Sequence, residues 1–131
     1  DVDTTRMLVG GTSRGGILAV AHVARRPEVY RGALNFVGGW IAEGCGDHRA
    51  INQRLFAEGA GFPGPTLWLY GARDSFYSVP YSRTGFDAYT VAGGLGAFHV
   101  LTPAPGDNGH FVINDPSLWA GTIEDYLELV L

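Results

Sequence analysis

Four short apolar runs, each closed by glycine, proline or a small residue, punctuate the chain at residues 6–11 (RMLVGG), 33–39 (ALNFVGG), 66–72 (TLWLYGA) and 97–103 (AFHVLTP). Their apolar character is nearly continuous rather than alternating, as in strands of a sheet covered on both faces. Helix-like segments lie between them. Residues 14–26 are stopped by Pro27, 49–58 by the glycine-rich stretch 59–64, and 82–92 by Gly93-Gly94. A last helix is expected over 117–131, with Asp115 or Ser117 as its cap and Trp119, Ile123, Tyr126, Leu127 and Val130 at helical spacing. Strands alternating with helices imply right-handed crossovers and an α/β fold of about four parallel strands with flanking helices. Such crossovers place the first three helices on one face of the sheet and leave the final helix to cover the other. With no internal repeat, linker or low-complexity stretch, residues 1–131 read as a single domain. In such a sheet, chemistry collects at the carboxyl ends of the strands, so the residues that follow each strand are the informative ones.

Composition narrows the function classes. Apolar residues make up 46% of the 131 positions and charged residues 17%, which describes a globular domain with an oily interior. The net charge is −4 and all nine basic residues are arginine. The only basic pair is Arg25-Arg26, which argues against a nucleic-acid groove or an anionic membrane surface. The absence of lysine excludes a phosphate-cradling P-loop and every lysine-dependent active site. No apolar run reaches the roughly 20 residues that span a bilayer. The single Cys45 excludes an internal disulfide. The chain opens at Asp1, without an initiator methionine or a recognisable signal peptide, as expected of a processed, trimmed or excised segment.

Gly11-Thr12-Ser13-Arg14-Gly15 follows the first strand and precedes the first helix, matching G-x-S-x-G. The spacing has a mechanical reason: a sharp, strained turn projects the serine Oγ above the sheet, and small neighbours let the backbone close. The same turn aims the Arg14 N–H at a developing oxyanion, at the positive end of the following helix. Gly71-Ala72-Arg73-Asp74-Ser75 follows the third strand, and Gly106-Asp107-Asn108-Gly109-His110-Phe111 follows the fourth as a flexible loop. An acid and an imidazole at these two places can reach a serine at the same sheet edge. Ser, Asp and His occur in the chain order of α/β-hydrolases. Taken singly, the serine loop could be a plain glycine turn, Asp74 a turn cap and His110 structural. Together, each after the right strand and in the right order, they point to nucleophilic catalysis.

From Asp3 onward the chain resembles the second half of α/β-hydrolases of the dienelactone-hydrolase-like group. The segments that carry the resemblance are VGGTSRGG (9–16), NFVGGW (35–40), PTLWLYGARDSFY (65–77) and GDNGHF (106–111). It implies a reduced or truncated α/β-hydrolase fold with Ser13 as nucleophile, His110 as base and Asp74 as orienting acid. Two departures accompany it. Dienelactone hydrolase proper uses a cysteine nucleophile where this chain has Ser13. The usual fold also places several strands before the nucleophile, and their loops supply a second oxyanion-hole N–H.

The remaining residues define the surroundings. Trp40, Ile41, Phe76, Tyr77 and Phe111 sit at the active edge and are candidates for an apolar substrate pocket as well as for ordinary core. Asp107 competes with Asp74 for the acid but stands too near His110 in sequence for the usual geometry. His22 and His99 fall inside a helix and a strand, where packing or surface roles are expected. Cys45-Gly46-Asp47-His48 lacks the second cluster that a zinc site would need. A nucleotide-binding reading of the glycine loop requires an acid or arginine after the second strand, where Gly38-Gly39-Trp40 stands, and a Tyr-x-x-x-Lys pair that a lysine-free chain cannot supply. The expectation is therefore a small-ester hydrolase without cofactor or metal. The rival from another class is an inert or partner-dependent fragment. Because the first strand would be an edge carrying Met7, Leu8 and Val9, association is also expected, as a homo-oligomer (a two-fold dimer) or with a separate N-terminal half.

Overall fold

A computed structural model describes residues 2–41, 44 and 46–131. Four strands, β1 (Met7–Thr12), β2 (Tyr30–Phe36), β3 (Thr66–Gly71) and β4 (Gly96–Leu101), form one sheet. They stand in the order β1-β2-β3-β4, and every pair is parallel. Helices α1 (Arg14–Val23), α2 (His48–Gly59) and α3 (Val79–Val91) make the crossovers. Each packs on the next, so the three form one layer. The helix α4 (Ala120–Val130) lies on the opposite face, where the Tyr126 hydroxyl donates to the Pro65 carbonyl at 2.7 Å.

Alternation along the strands divides the core in two. Toward the three-helix layer, Trp68 is enclosed by Phe56, Phe86 and Tyr89, with ring centroids 4.5, 5.1 and 5.2 Å away. Toward α4, the Phe36 ring meets Trp119 edge-on at 5.3 Å. β3 is buried at all six positions, as its apolar run requires. β1 is the edge strand opposite β4; Met7, Leu8 and Val9 there are half-buried. Among the described residues, no helix is long and apolar enough to cross a membrane.

Several boundaries differ from the pattern-based expectation, each for a local reason. α1 stops at Val23, three residues short of Arg26, because the approach of Pro27 turns the chain out of the helix. β2 begins at Tyr30 rather than Ala33: Tyr30 and Gly32 pair with Met7 and Leu8 of β1, and the register shifts between them, past Arg31. It ends at Phe36 because Val37 turns to a positive φ of 44°. α3 begins at Val79, ahead of Ser82, with Ser78 accepting the Tyr81 N–H and Pro80 in the first turn. The closing helix is also shorter than 117–131. Asp115 caps a separate 3-10 turn, Pro116–Leu118, and α4 then starts at Ala120 without a side-chain cap. The histidine segment, expected as a flexible loop, contains the 3-10 helix Gly109–Asn114.

Candidate active site

Among the described residues, three non-glycine residues have positive φ, and each sits just past the carboxyl end of a strand: Ser13 (55°) after β1, Val37 (44°) after β2 and Arg73 (61°) after β3. Such conformations cost roughly 1–3 kcal/mol each and persist only where the surroundings hold them. Here the holding bonds come from the neighbouring strands. The Ser13 N–H donates to the Phe36 carbonyl at 2.9 Å, and Val37 N–H to Leu69 at 2.8 Å. At Ser13 the strained turn throws the side chain upward while α1 starts at the next residue. The Arg14 N–H is therefore one of the helix's first donors, for which the helix has no acceptor of its own.

The two glycines of the serine motif do unequal work. A Cβ at Gly11 would run into the Gly15 backbone, whereas one at Gly15 would meet open space. Gly11→Ala should therefore abolish the turn, and Gly15→Ala should fold normally or gain about 0.4–1 kcal/mol from a stiffer unfolded chain. Thermal melts of the two variants check this; equal melting temperatures would contradict it.

A second glycine contact assembles the rest. Gly71, at the end of β3, and Gly109 approach so closely that a Cβ on either would strike the other's backbone. This draws the histidine segment against the loop that carries Asp74. Asn108 fastens the two together: its Oδ1 accepts from the His110 N–H at 3.0 Å and the Ser75 N–H at 3.2 Å, and its Nδ2 donates to Ser75 Oγ at 2.7 Å. Asn108 and Ser75 were not singled out from the sequence. The Asn-Gly pair before a histidine was the available signal, but its partner lies 33 positions away.

The result is a continuous chain of polar contacts. Asp74 Oδ2 lies 3.0 Å from His110 Nδ1, and His110 Nε2 lies 3.1 Å from Ser13 Oγ. A carboxylate can only accept, so Nδ1 carries the proton and Nε2 is left to accept from the serine hydroxyl. The other Asp74 oxygen accepts from the N–H groups of Phe76 (2.7 Å) and Tyr77 (2.9 Å). Its side chain is fully buried, while that of His110 remains 11% exposed, open to a small reactant. Asp107 is exposed and stands in a turn with Ala104, outside this chain of contacts.

The five candidate pocket residues divide. Trp40, Ile41, Phe76 and Phe111 are all at least one-third exposed. The rings of Phe76 and Phe111 flank His110 at 4.5 and 5.6 Å. Tyr77 departs from the expectation of a pocket wall. It is buried, its ring packs 5.5 Å from His110, and its hydroxyl donates to the Gly39 carbonyl at 2.9 Å, so it supports the site from within. Tyr70 does the same for Gly38 at 2.7 Å. Burial pushes the Tyr70 phenol far above its ordinary pKa, so it remains a donor. His22 and His99 are exposed, away from these contacts. His48 Nδ1 is 2.8 Å from the Tyr81 hydroxyl, and Cys45 lies outside the described residues.

The fold is of the α/β-hydrolase type, over about half of its extent. Two solved structures show the likeness. One is the "predicted CIB-like hydrolase" of Thermoplasma acidophilum, with TM-score 0.64 and 16% identity, covering 95% of this chain and 51% of the other. The second is the "Putative Dienelactone Hydrolase" of Klebsiella pneumoniae subsp. pneumoniae, with TM-score 0.62 and 19% identity, covering 93% and 52%. The chain thus spans about half the length of the structures it matches. No family model and no curated relative matches it.

Proposed function

We propose that this chain hydrolyses small carboxylic esters through a Ser13–His110–Asp74 triad and an acyl-enzyme. The observation that supports this reading is the unbroken relay from buried Asp74 through His110 to Ser13 at 3.0 and 3.1 Å. Ser13 Oγ attacks the ester carbonyl carbon as its proton passes to His110 Nε2, and the carbonyl oxygen becomes an oxyanion facing the Arg14 N–H. The tetrahedral intermediate collapses by breaking the C–O bond to the alcohol, which leaves with the proton from Nε2. Water then attacks the acyl-serine, giving its proton to His110, and the acid departs with Ser13 Oγ reprotonated. Asp74 holds the imidazole in the required tautomer throughout. The reaction needs no metal or cofactor.

Intact mass after treatment with a fluorophosphonate probe tests the nucleophile. One adduct is expected on the native chain and none on Ser13→Ala; an unmodified native chain would overturn the reading.

The alternative, a hydrolase that depends on a partner, is favoured by one feature: Arg14 supplies a single oxyanion donor, where the fold commonly uses a second N–H from another loop. The edge position of β1 leaves its outer backbone groups open to a further strand. A second copy of the chain in a two-fold dimer is the partner we propose, and a separate N-terminal half is the competing one. Light scattering at micromolar concentration should give about twice the 14.0 kDa of one chain. An active species at the single-chain mass would contradict it.

A further inference from the structure

Two apolar surfaces of different kinds adjoin the proposed relay, one beside Ser13 and one beside His110. On one side, Arg14, Ile17, Leu18 and Trp40 line a hollow of about 140 Å³. Leu18 and Trp40 leave 59% and 43% of their surface in water, an unfavourable exposure that an apolar ligand would relieve. The hollow adjoins Ser13 twice, through its chain neighbour Arg14 and through Gly39, whose N–H donates to the Ser13 carbonyl at 3.2 Å and which precedes Trp40. The Trp40 wall is also fixed. Buried Asn52 pairs with both of its backbone groups, accepting its N–H at 2.7 Å and donating to its carbonyl at 2.6 Å. On the other side, the exposed rings of Phe76 and Phe111 flank His110.

Resting on the hydrolase reading above, we infer that the hollow between α1 and the loop after β2 receives the acyl chain, and that the Phe76–Phe111 side receives the alcohol. Proton transfer decides the orientation. The departing alcohol oxygen takes its proton from His110 Nε2, so it must lie on the imidazole's side and its substituent falls against Phe76 and Phe111. The acyl chain then extends the other way, past the Arg14 N–H and into the hollow. An engineered cavity of about 150 Å³ holds benzene, so this hollow accommodates an acyl chain of roughly four to six carbons. The substrates are therefore short-acyl esters of apolar or aromatic alcohols.

The test is a pair of rate series. With nitrophenyl esters from acetate to decanoate, kcat/KM should rise roughly fivefold to tenfold from acetate to butyrate or hexanoate, as two to four methylenes enter a half-open apolar site, and fall at decanoate. Leu18→Trp, which fills the hollow from the helix surface, should reduce the hexanoate-to-acetate ratio by a similar factor. Val91→Trp, at an exposed position on α3, should leave that ratio alone. With phenyl and methyl butyrate, Phe76→Ala should lower the preference for phenyl without altering the acyl profile. A flat acyl series, or a Leu18→Trp effect on the alcohol instead, would overturn the assignment while Ser13 still takes the fluorophosphonate label. Absence of both label and turnover would instead remove the hydrolase reading and this inference with it.

Discussion

Replacing Ser13 by alanine is expected to reduce ester turnover by four or more orders of magnitude while leaving the melting temperature nearly unchanged. The size of the loss follows from the chemistry. In a developed triad, removal of the nucleophile leaves only what an oxyanion donor and binding contribute, roughly 10³–10⁴-fold over water. The small effect on folding follows from the location. Ser13 Oγ is a half-buried group whose contact is His110 Nε2, and the strained turn is held by the Ser13 N–H and carbonyl, which alanine retains. Initial rates with a short nitrophenyl ester, set beside a thermal melt, separate the two quantities. Turnover at a tenth of the native rate would mean that another group attacks.

The second large effect is expected at Asp74. In Asp74→Asn the carbonyl oxygen of the new amide can still accept from the Phe76 and Tyr77 N–H groups, which hold the side chain in place. The NH₂ then faces His110 Nδ1 and donates to it. That moves the imidazole proton to Nε2, the nitrogen that must accept from Ser13, so the base is blocked although no atom has shifted. The expected loss approaches 10⁴-fold. Asp107→Asn changes an exposed carboxylate outside the relay, and an effect of about twofold or less is expected. Parallel kcat/KM measurements on the two variants decide between the acids, and a reversed ranking would transfer the role to Asp107.

Much of the architecture was legible in the sequence because it rests on local patterns. Apolar runs of the right length, each closed by small residues, marked all four strands, and their alternation with helices implied the parallel order. The three residues that the structure brings together, Ser13, Asp74 and His110, each lie past the end of a strand, at a separation that grows from the residue next to β1 to a loop well beyond β4. What could not be read depends on residues far apart. The mutual approach of Gly71 and Gly109 spans most of two elements, and neither glycine advertises its partner. Asn108 joins the acid and histidine segments only after that approach is made. Tyr77 stood at the right edge for a pocket, but its hydroxyl is drawn to Gly39 across the site. The backbone turn at Val37 contradicts the β-branched side chain's own preference and is imposed by the neighbouring strand.

The sheet's order has a consequence for how the site fails. Ser13 and His110 stand 97 positions apart, and among the described residues each follows an edge strand, β1 and β4, that has one strand neighbour. Local opening begins at margins, so fraying of either edge strand requires less free energy than unfolding the domain. Fraying of β1 would withdraw the serine and fraying of β4 would loosen the histidine segment, while Asp74 stays with the fully buried β3. Ser13 and His110 thus follow opposite margins of the sheet while Asp74 follows its buried interior, and whatever steadies either margin steadies the contact between serine and histidine.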